Sequence, residues 1–234
     1  MKSFMTPVTC NAMPNQPTPF QASSALQGLS FNDSLTRIRE RLAHARPHKP
    51  RGDRLQDLQG KALTAASVLV PLVYYPTHLS VLLTQRTDHL RKHPGQISFP
   101  GGRAEAGDSS PEATALRESQ EEIGLAAEHI HLIGRLPNYI TITGFDVTPV
   151  VGLLTPPLTL APDANEVAEA FEVPLQLFLH PANFIKHQYE LDGRTGSYYA
   201  VNYQHRFIWG ATAAMLLSLG ESLTHQPFLE YQPK

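Results

Sequence analysis

Between Ser98 and Leu125 the order of residue types leaves the chain little freedom. Ser98-Phe99-Pro100-Gly101-Gly102 reads as a strand end running into a tight glycine turn, and Arg103 to Ser110 as a polar loop carrying Glu105 and Asp108. Ser110-Pro111 then supplies an N-cap and a proline at the first helical position, and Gly124 supplies the stop. On the helix between them, Glu118, Glu121 and Glu122 fall on one face, because residues three and four apart are neighbours there. Arg117 lies four residues before Glu121, within reach of its carboxylate.

Three like charges on one face repel one another, and a purely structural helix gains nothing from them. A solvated acidic surface accounts for an isolated Glu-Glu pair. It does not account for the glycine turn, the capped helix start and the stripe arriving together. A divalent cation reverses the sign of the argument, since hard carboxylate oxygens suit Mg²⁺ or Mn²⁺.

At these residues the chain resembles the Nudix hydrolases, whose box reads G-x5-E-x7-R-E-U-x-E-E-x-G-U, with U a bulky aliphatic. Arg117 to Leu125 matches its back half, except that Ser119 stands where an aliphatic is usual. The front half is looser: counted from Gly102, Asp108 fills the acidic position, and one extra residue separates it from Arg117. Upstream, Leu82-Leu83-Thr84-Gln85-Arg86 through Leu90, His93, Gly95-Gln96 and Phe99-Pro100-Gly101-Gly102 is similar to the signature of the coenzyme A pyrophosphatase branch, approximately LLTxRxxxLxxHxGQxxFPGG. The two motifs abut over residues 82–125, and weaker similarity runs from roughly Ala65 to Leu217, including Asn165-Glu166-Val167 and Ile208-Trp209-Gly210.

The resemblance implies an α/β protein, a Nudix-type α/β/α sandwich with a mixed β-sheet, that cleaves the pyrophosphate bond of coenzyme A (CoA) or its derivatives. It implies Mg²⁺ or Mn²⁺ held by Glu118, Glu121 and Glu122, with Arg117 beside them. The general base stays open among Glu122, Glu118 and the later Glu166 and Glu169; Glu166 is the choice for the catalytic set. Arg86, Arg91, Lys92 and His93 are expected to meet substrate phosphates outside the metal cluster, and Gly101 and Gly102 to bring backbone close to the substrate. A broader nucleoside diphosphate-X pyrophosphatase and a non-catalytic nucleotide-binding domain are the competing readings. The intact glutamate set counts against the latter. A homodimer is compatible with the resemblance.

Composition narrows the rest. A formal net charge of −2 and a pI near 6.6 argue against a bulk electrostatic grip on nucleic acid or an anionic membrane, so an anionic ligand must meet local cations and a metal. Cys10 is the single cysteine, which fits a reducing cytoplasm. No apolar run reaches the roughly 18 residues of a membrane span.

Along the chain, residues 1–30 mix Pro, Gln, Ser and Asn and are expected to lack fixed structure. Residues 31–60 read as a helical extension and basic connector, with Leu35, Ile38 and Leu42 as a packing stripe and Asn32-Asp33-Ser34 as caps. Residues 61–222 form the expected catalytic domain and 223–234 a tail. Within that domain Ala65–Val73, Leu79–Gln85, His131–Leu136, Val147–Leu154 and Val167–Val173 read as strands. A late hairpin is expected across Asp192-Gly193-Arg194, then a closing helix from Trp209 that Gly220 ends, with Trp209 in the core. The interleaving without a strict βαβ repeat predicts a mixed sheet between helices.

Overall fold

A computed structural model describes residues 28–43, 51–52, 60, 62–90, 92–191 and 194–228. Most of the expected N-terminal tail, much of the connector, Arg91 and the Asp192-Gly193 turn lie outside the described residues. The elements run α1 (Phe31–Ala43), β1 (Arg51–Gly52), β2 (Thr64–Tyr75), β3 (His78–Arg86), β4 (Ile97–Ser98), β5 (Gly101–Arg103) and α2 (Pro111–Ile123). They continue with β6 (Ile130–Arg135), β7 (Tyr139–Ile140), β8 (Phe145–Leu154), β9 (Val167–Pro174), β10 (Ile185–Leu191), β11 (Arg194–Tyr203), β12 (Arg206–Trp209) and α3 (Gly210–Thr224).

The apolar runs in β2 and β8 are buried on both faces, and these two strands pair in parallel as the spine of a mixed sheet. The far edge of β2 is divided. Antiparallel β5 takes Ala66 to Val68, and β3 takes Leu72 to Tyr75. That division drops the Gly101-Gly102 turn against the middle of the sheet, where Leu69 N–H donates to Pro100 O at 2.9 Å. Beyond β3 lie β4 and β9, both antiparallel; beyond β8 lie β6 and β7.

Alternation along β2 sends Ala66, Val70 and Leu72 to one core and Leu69 and Val73 to another. α2 covers the second core through Ala115 and Ile123; α1 and α3 cover the first through Ile38, Leu42, Leu216 and Leu219. The architecture is therefore an α/β/α sandwich around a mixed sheet. A separate sheet, β10–β11–β12, adds Val201 and Ile208 to the first core. Among the described residues no helix is long and apolar enough to cross a membrane.

Several local expectations need correction. The cap of α1 is Ser30, whose Oγ accepts from Asp33 N–H and donates to Asp33 Oδ2, so Asn32-Asp33-Ser34 lie inside the first turn. Gly220 does not end α3: a Cβ there would collide with the Phe178 carbonyl, so the glycine serves close packing and the helix runs on to Thr224. The boundary drawn at 222 thus falls inside a helix, and Phe228 beyond it is buried, its N–H donating to Glu221 Oε1 at 2.8 Å. β12 was absent from the expected elements. Trp209, at its end, is only partly buried and meets Tyr198 edge-on.

Candidate active site

The helix that carries the carboxylates begins and ends where its local chemistry dictates. Ser110 Oγ accepts from Ala113 N–H at 3.2 Å, Pro111 opens the first turn, and Gly124 closes the helix in the left-handed conformation at φ 67°. Ser119, the residue at an aliphatic position of the motif, is fully buried and donates to the Ala115 carbonyl at 2.7 Å. A hydroxyl satisfied by its own helix stands in for an apolar side chain without an unpaired group.

The glycine turn and the helix meet through two carboxylates. Gly101 N–H donates to Glu122 Oε2 at 3.1 Å, and Glu122 is 8 % exposed. At Gly101 the backbone has φ 154° and a Cβ would strike the Ser67 carbonyl. At Gly102 a Cβ would sit 2.6 Å from the Glu118 carboxylate. Both glycines are thus required by close approach, the first to backbone and the second to the Glu118 carboxylate.

Arg117 organises the opposite side. Its Nε and Nη2 donate to Asp108 Oδ1 and Oδ2 at 3.1 and 3.0 Å, and Nη2 also reaches the Arg103 carbonyl at 3.0 Å. Its Nη1 lies 3.0 Å from both Glu118 Oε1 and Glu121 Oε2. Asp108 accepts in addition from Thr114 Oγ1 and Glu105 N–H, each at 2.9 Å. The extra residue between Asp108 and Arg117 therefore leaves the pair intact, and Asp108 anchors Arg117. Asp108, at the acidic position of the motif, thus makes a bidentate, charge-assisted contact to Arg117. Glu105 itself is exposed and contributes its backbone.

Arg86 lies inside the carboxylate group, not outside it. Its guanidinium stands 3.9 Å from both Glu122 Oε1 and Glu166 Oε2, linking α2 to the segment before β9. Glu169 is engaged elsewhere: both its oxygens accept from Arg206 Nη2, at 2.7 and 2.8 Å. Lys92 and His93 are exposed on the loop between β3 and β4, with His93 at φ 53°. Among the described residues neither makes a contact to the carboxylates, and Arg91 lies outside the described residues.

The electrostatics follow burial and pairing. Burial pushes Glu122 up to about 7, aided by the nearby Glu118 and Glu166 charges and opposed by Gly101 N–H and Arg86. Burial also raises Glu118, with Arg117 opposing. The Arg117 hydrogen bonds hold Asp108 well below the usual carboxylate range, and Asp108 in turn raises Arg117. Among the described residues the cations paired with Asp108, Glu118, Glu121, Glu122 and Glu166 are Arg86 and Arg117.

Among the described residues no three His, Cys, Asp or Glu side chains already converge as a ligand cage. Glu118 and Glu122 meet at the glycine turn, whereas Glu121 turns to Arg117 with its side chain 59 % exposed. The donor chemistry nevertheless fits a hard divalent cation, because two desolvated carboxylates carry excess negative charge that such an ion relieves.

The NUDIX domain model matches residues 63–191. A protein of Pectobacterium atrosepticum described as an uncharacterized Nudix hydrolase, NudL, is 41% identical over 162 residues, covering 69% of this chain and 84% of that protein. Its Yersinia enterocolitica counterpart of the same description is 41% identical over 158 residues, covering 68% and 80%. Among solved structures, the Nudix hydrolase RenU from M. smegmatis aligns with TM-score 0.42 and 26% identity over 49% of this chain and 72% of its own. The NUDIX domain of Shewanella oneidensis NrtR, solved with ADP ribose, aligns with TM-score 0.38 and 22% identity over 52% and 83%.

Proposed function

The chain belongs to the Nudix hydrolases, enzymes that act on phosphoric anhydride bonds, and on that premise we propose that it hydrolyses the pyrophosphate bond of CoA or its derivatives. The products are 3′,5′-ADP and 4′-phosphopantetheine. The observation that carries the chemistry is the buried Glu122, held by Gly101 N–H and facing Glu118, Arg86 and Glu166. The observation that carries the substrate is the CoA-type signature at residues 82–102, which runs from β3 to the glycine turn beside those carboxylates.

Water must approach phosphorus through a screen of negative oxygens. Glu118, Glu121 and Glu122 would hold Mg²⁺ or Mn²⁺, which supplies charge neutralisation for the pyrophosphate and activation for water. Arg117, fixed by Asp108, keeps Glu118 and Glu121 from splaying apart. Arg86, set between Glu122 and Glu166, would meet the scissile pyrophosphate rather than a distal phosphate. Gly101 and Gly102 let the substrate approach backbone.

Glu166 is assigned the proton from the attacking water. Its side chain is 48% exposed and among the described residues makes a long contact to Arg86, whereas both Glu169 oxygens accept from Arg206 and Glu122 is buried. Lys92, Arg91 and the His93 ring would meet the 3′-phosphate of CoA. The single cysteine and the anionic balance fit a cytoplasmic enzyme with a small-molecule substrate.

The test is turnover of CoA, an acyl-CoA, dephospho-CoA, ADP-ribose, NADH, dinucleoside polyphosphates and dNTPs with Mg²⁺ or Mn²⁺. The expected result is the highest kcat/KM for CoA or an acyl-CoA. Fast hydrolysis of ADP-ribose or NADH with CoA untouched would replace the proposal by a different nucleoside diphosphate-X activity.

A further inference from the structure

Position 87 falls on an unassigned place in the signature, yet Thr87 is buried at 7% exposure and joins the loop after β3 to the segment that carries Glu166. Its N–H donates to the Glu166 carbonyl at 3.0 Å, and its Oγ1 donates to the Asn165 carbonyl at 3.1 Å. The same Oγ1 lies 3.4 Å from His89 Nε2, from which it is able to accept. Two consecutive carbonyls of one exposed turn are thus held by one residue of the β3–β4 loop.

The other end of that turn is tied to the helix of the carboxylates. Ala161 N–H donates to Ile123 O at 2.8 Å and Asp163 N–H to Glu122 O at 2.9 Å. Asp163 then closes the turn: its Oδ1 accepts from Asn165 N–H and Nδ2, both at 2.9 Å, and its carbonyl accepts from Glu166 and Val167 N–H. Directly after it the pairing of β9 with β3 slips, Arg86 facing Val167 while Gln85 faces Glu169, so Ala168 is an extra residue. Such a bulge re-aims the neighbouring side chains. Here it leaves Glu166 opposite Arg86 and sends Glu169 to Arg206.

We propose that Thr87 is a positioning residue for the hydrolysis. Its hydroxyl clamps the Asn165–Glu166 turn to the strand that bears Arg86, and so fixes the Glu166 carboxylate beside Glu122. The inference rests on the reading of Glu166 as the group that takes the proton. Asp163 alone would still close the turn on itself. Among the described residues Thr87 holds the Asn165 and Glu166 carbonyls to the end of β3, ahead of the β9–β3 pairing that begins at Val167 and beside the long Arg86 contact to the Glu166 carboxylate.

The test uses the full chain with Mg²⁺ and CoA, or ADP-ribose if that is the substrate hydrolysed. Thr87→Val keeps size and backbone N–H and deletes the hydroxyl. One neutral hydrogen bond lost from the clamp lowers kcat about threefold to tenfold, with KM unchanged. Thr87→Ser restores the rate. Combined with Glu166→Gln, Thr87→Val causes no further loss, since it acts through that side chain. In metal-free protein, amide exchange at residues 163–167 speeds up in Thr87→Val while the helix α2 amides stay protected.

A wild-type kcat in Thr87→Val, unchanged exchange, or a full further loss on top of Glu166→Gln would overturn the positioning role. If Glu166→Gln alone turns over at the wild-type rate, the reading of Glu166 fails, and the proposal falls with it whatever the exchange shows.

Discussion

Replacing Glu122 by Gln separates the stability of this site from its chemistry. Burial raises Glu122 from an ordinary 4.5 to about 7, so the folded protein holds a proton there that the unfolded chain releases. Stability is therefore highest below the unfolded value, falls as pH rises from about 4.5 to about 7, and stays low above that. The full gap corresponds to roughly 3 kcal/mol, and relaxation around a charged Glu122 reduces it to about 1–3 kcal/mol. Gln cannot ionise, and its carbonyl still accepts the Gly101 N–H. In chelator, urea unfolding should show wild type and Glu122→Gln nearly equal at pH 4.5, with the variant more stable by that amount at pH 8. Excess Mg²⁺ should close or reverse most of that gap, because a cation at a hundred times its Kd stabilises the wild type by about 2.7 kcal/mol. Turnover of the variant should fall about a hundredfold or more. A variant equal to or weaker than wild type at pH 8 in chelator would refute the assignment of a strained, buried carboxylate.

Other sites give separable outcomes. Asp108→Asn removes the anchor of Arg117 and should lower kcat about tenfold to a hundredfold. Because Asp108 is held below the usual carboxylate range, the wild type loses its contribution as pH falls through the acid range, and the variant should lose that part of its acid sensitivity in a pH-melting series. Gly102→Ala places a methyl against the movable end of Glu118, so activity should fall while Tm changes little. Gly101→Ala meets backbone at φ 154° and should cost about 2 kcal/mol or more by urea unfolding. Lys92→Ala and His93→Ala should lower kcat/KM for CoA but not for dephospho-CoA. Both side chains are exposed, so the effect should be only about twofold to fivefold. Equal losses on the two substrates would remove the 3′-phosphate role.

The parts of this fold that were legible in sequence are those set by neighbours along the chain. Ser110, Pro111 and Gly124 define α2 to the residue, and the apolar runs of β2 and β8 announce strands covered on both sides. What escaped depends on distant partners. Gly220 has the composition of a helix stop, and only the Phe178 carbonyl pressed against it shows why it sits mid-helix. The sequence offers no physical ground for choosing Glu166 over Glu169; a bulge at Ala168 and Arg206, far along the chain, give the two different contacts. Arg86 looked like one cation in a basic loop, and its place between Glu122 and Glu166 arises from the pairing of β3 with β9. Asp108 was half legible: the residue type was right, and the geometry around an extra loop residue was not foreseeable from spacing.

The most direct measurement is product analysis of CoA incubated with Mg²⁺ and either wild type or Glu122→Gln. The account predicts equal amounts of 3′,5′-ADP and 4′-phosphopantetheine from the wild type, formed at no more than about one hundredth of that rate by the variant. Cleavage at another bond, no cleavage of CoA, or near-equal rates from the two proteins would contradict it.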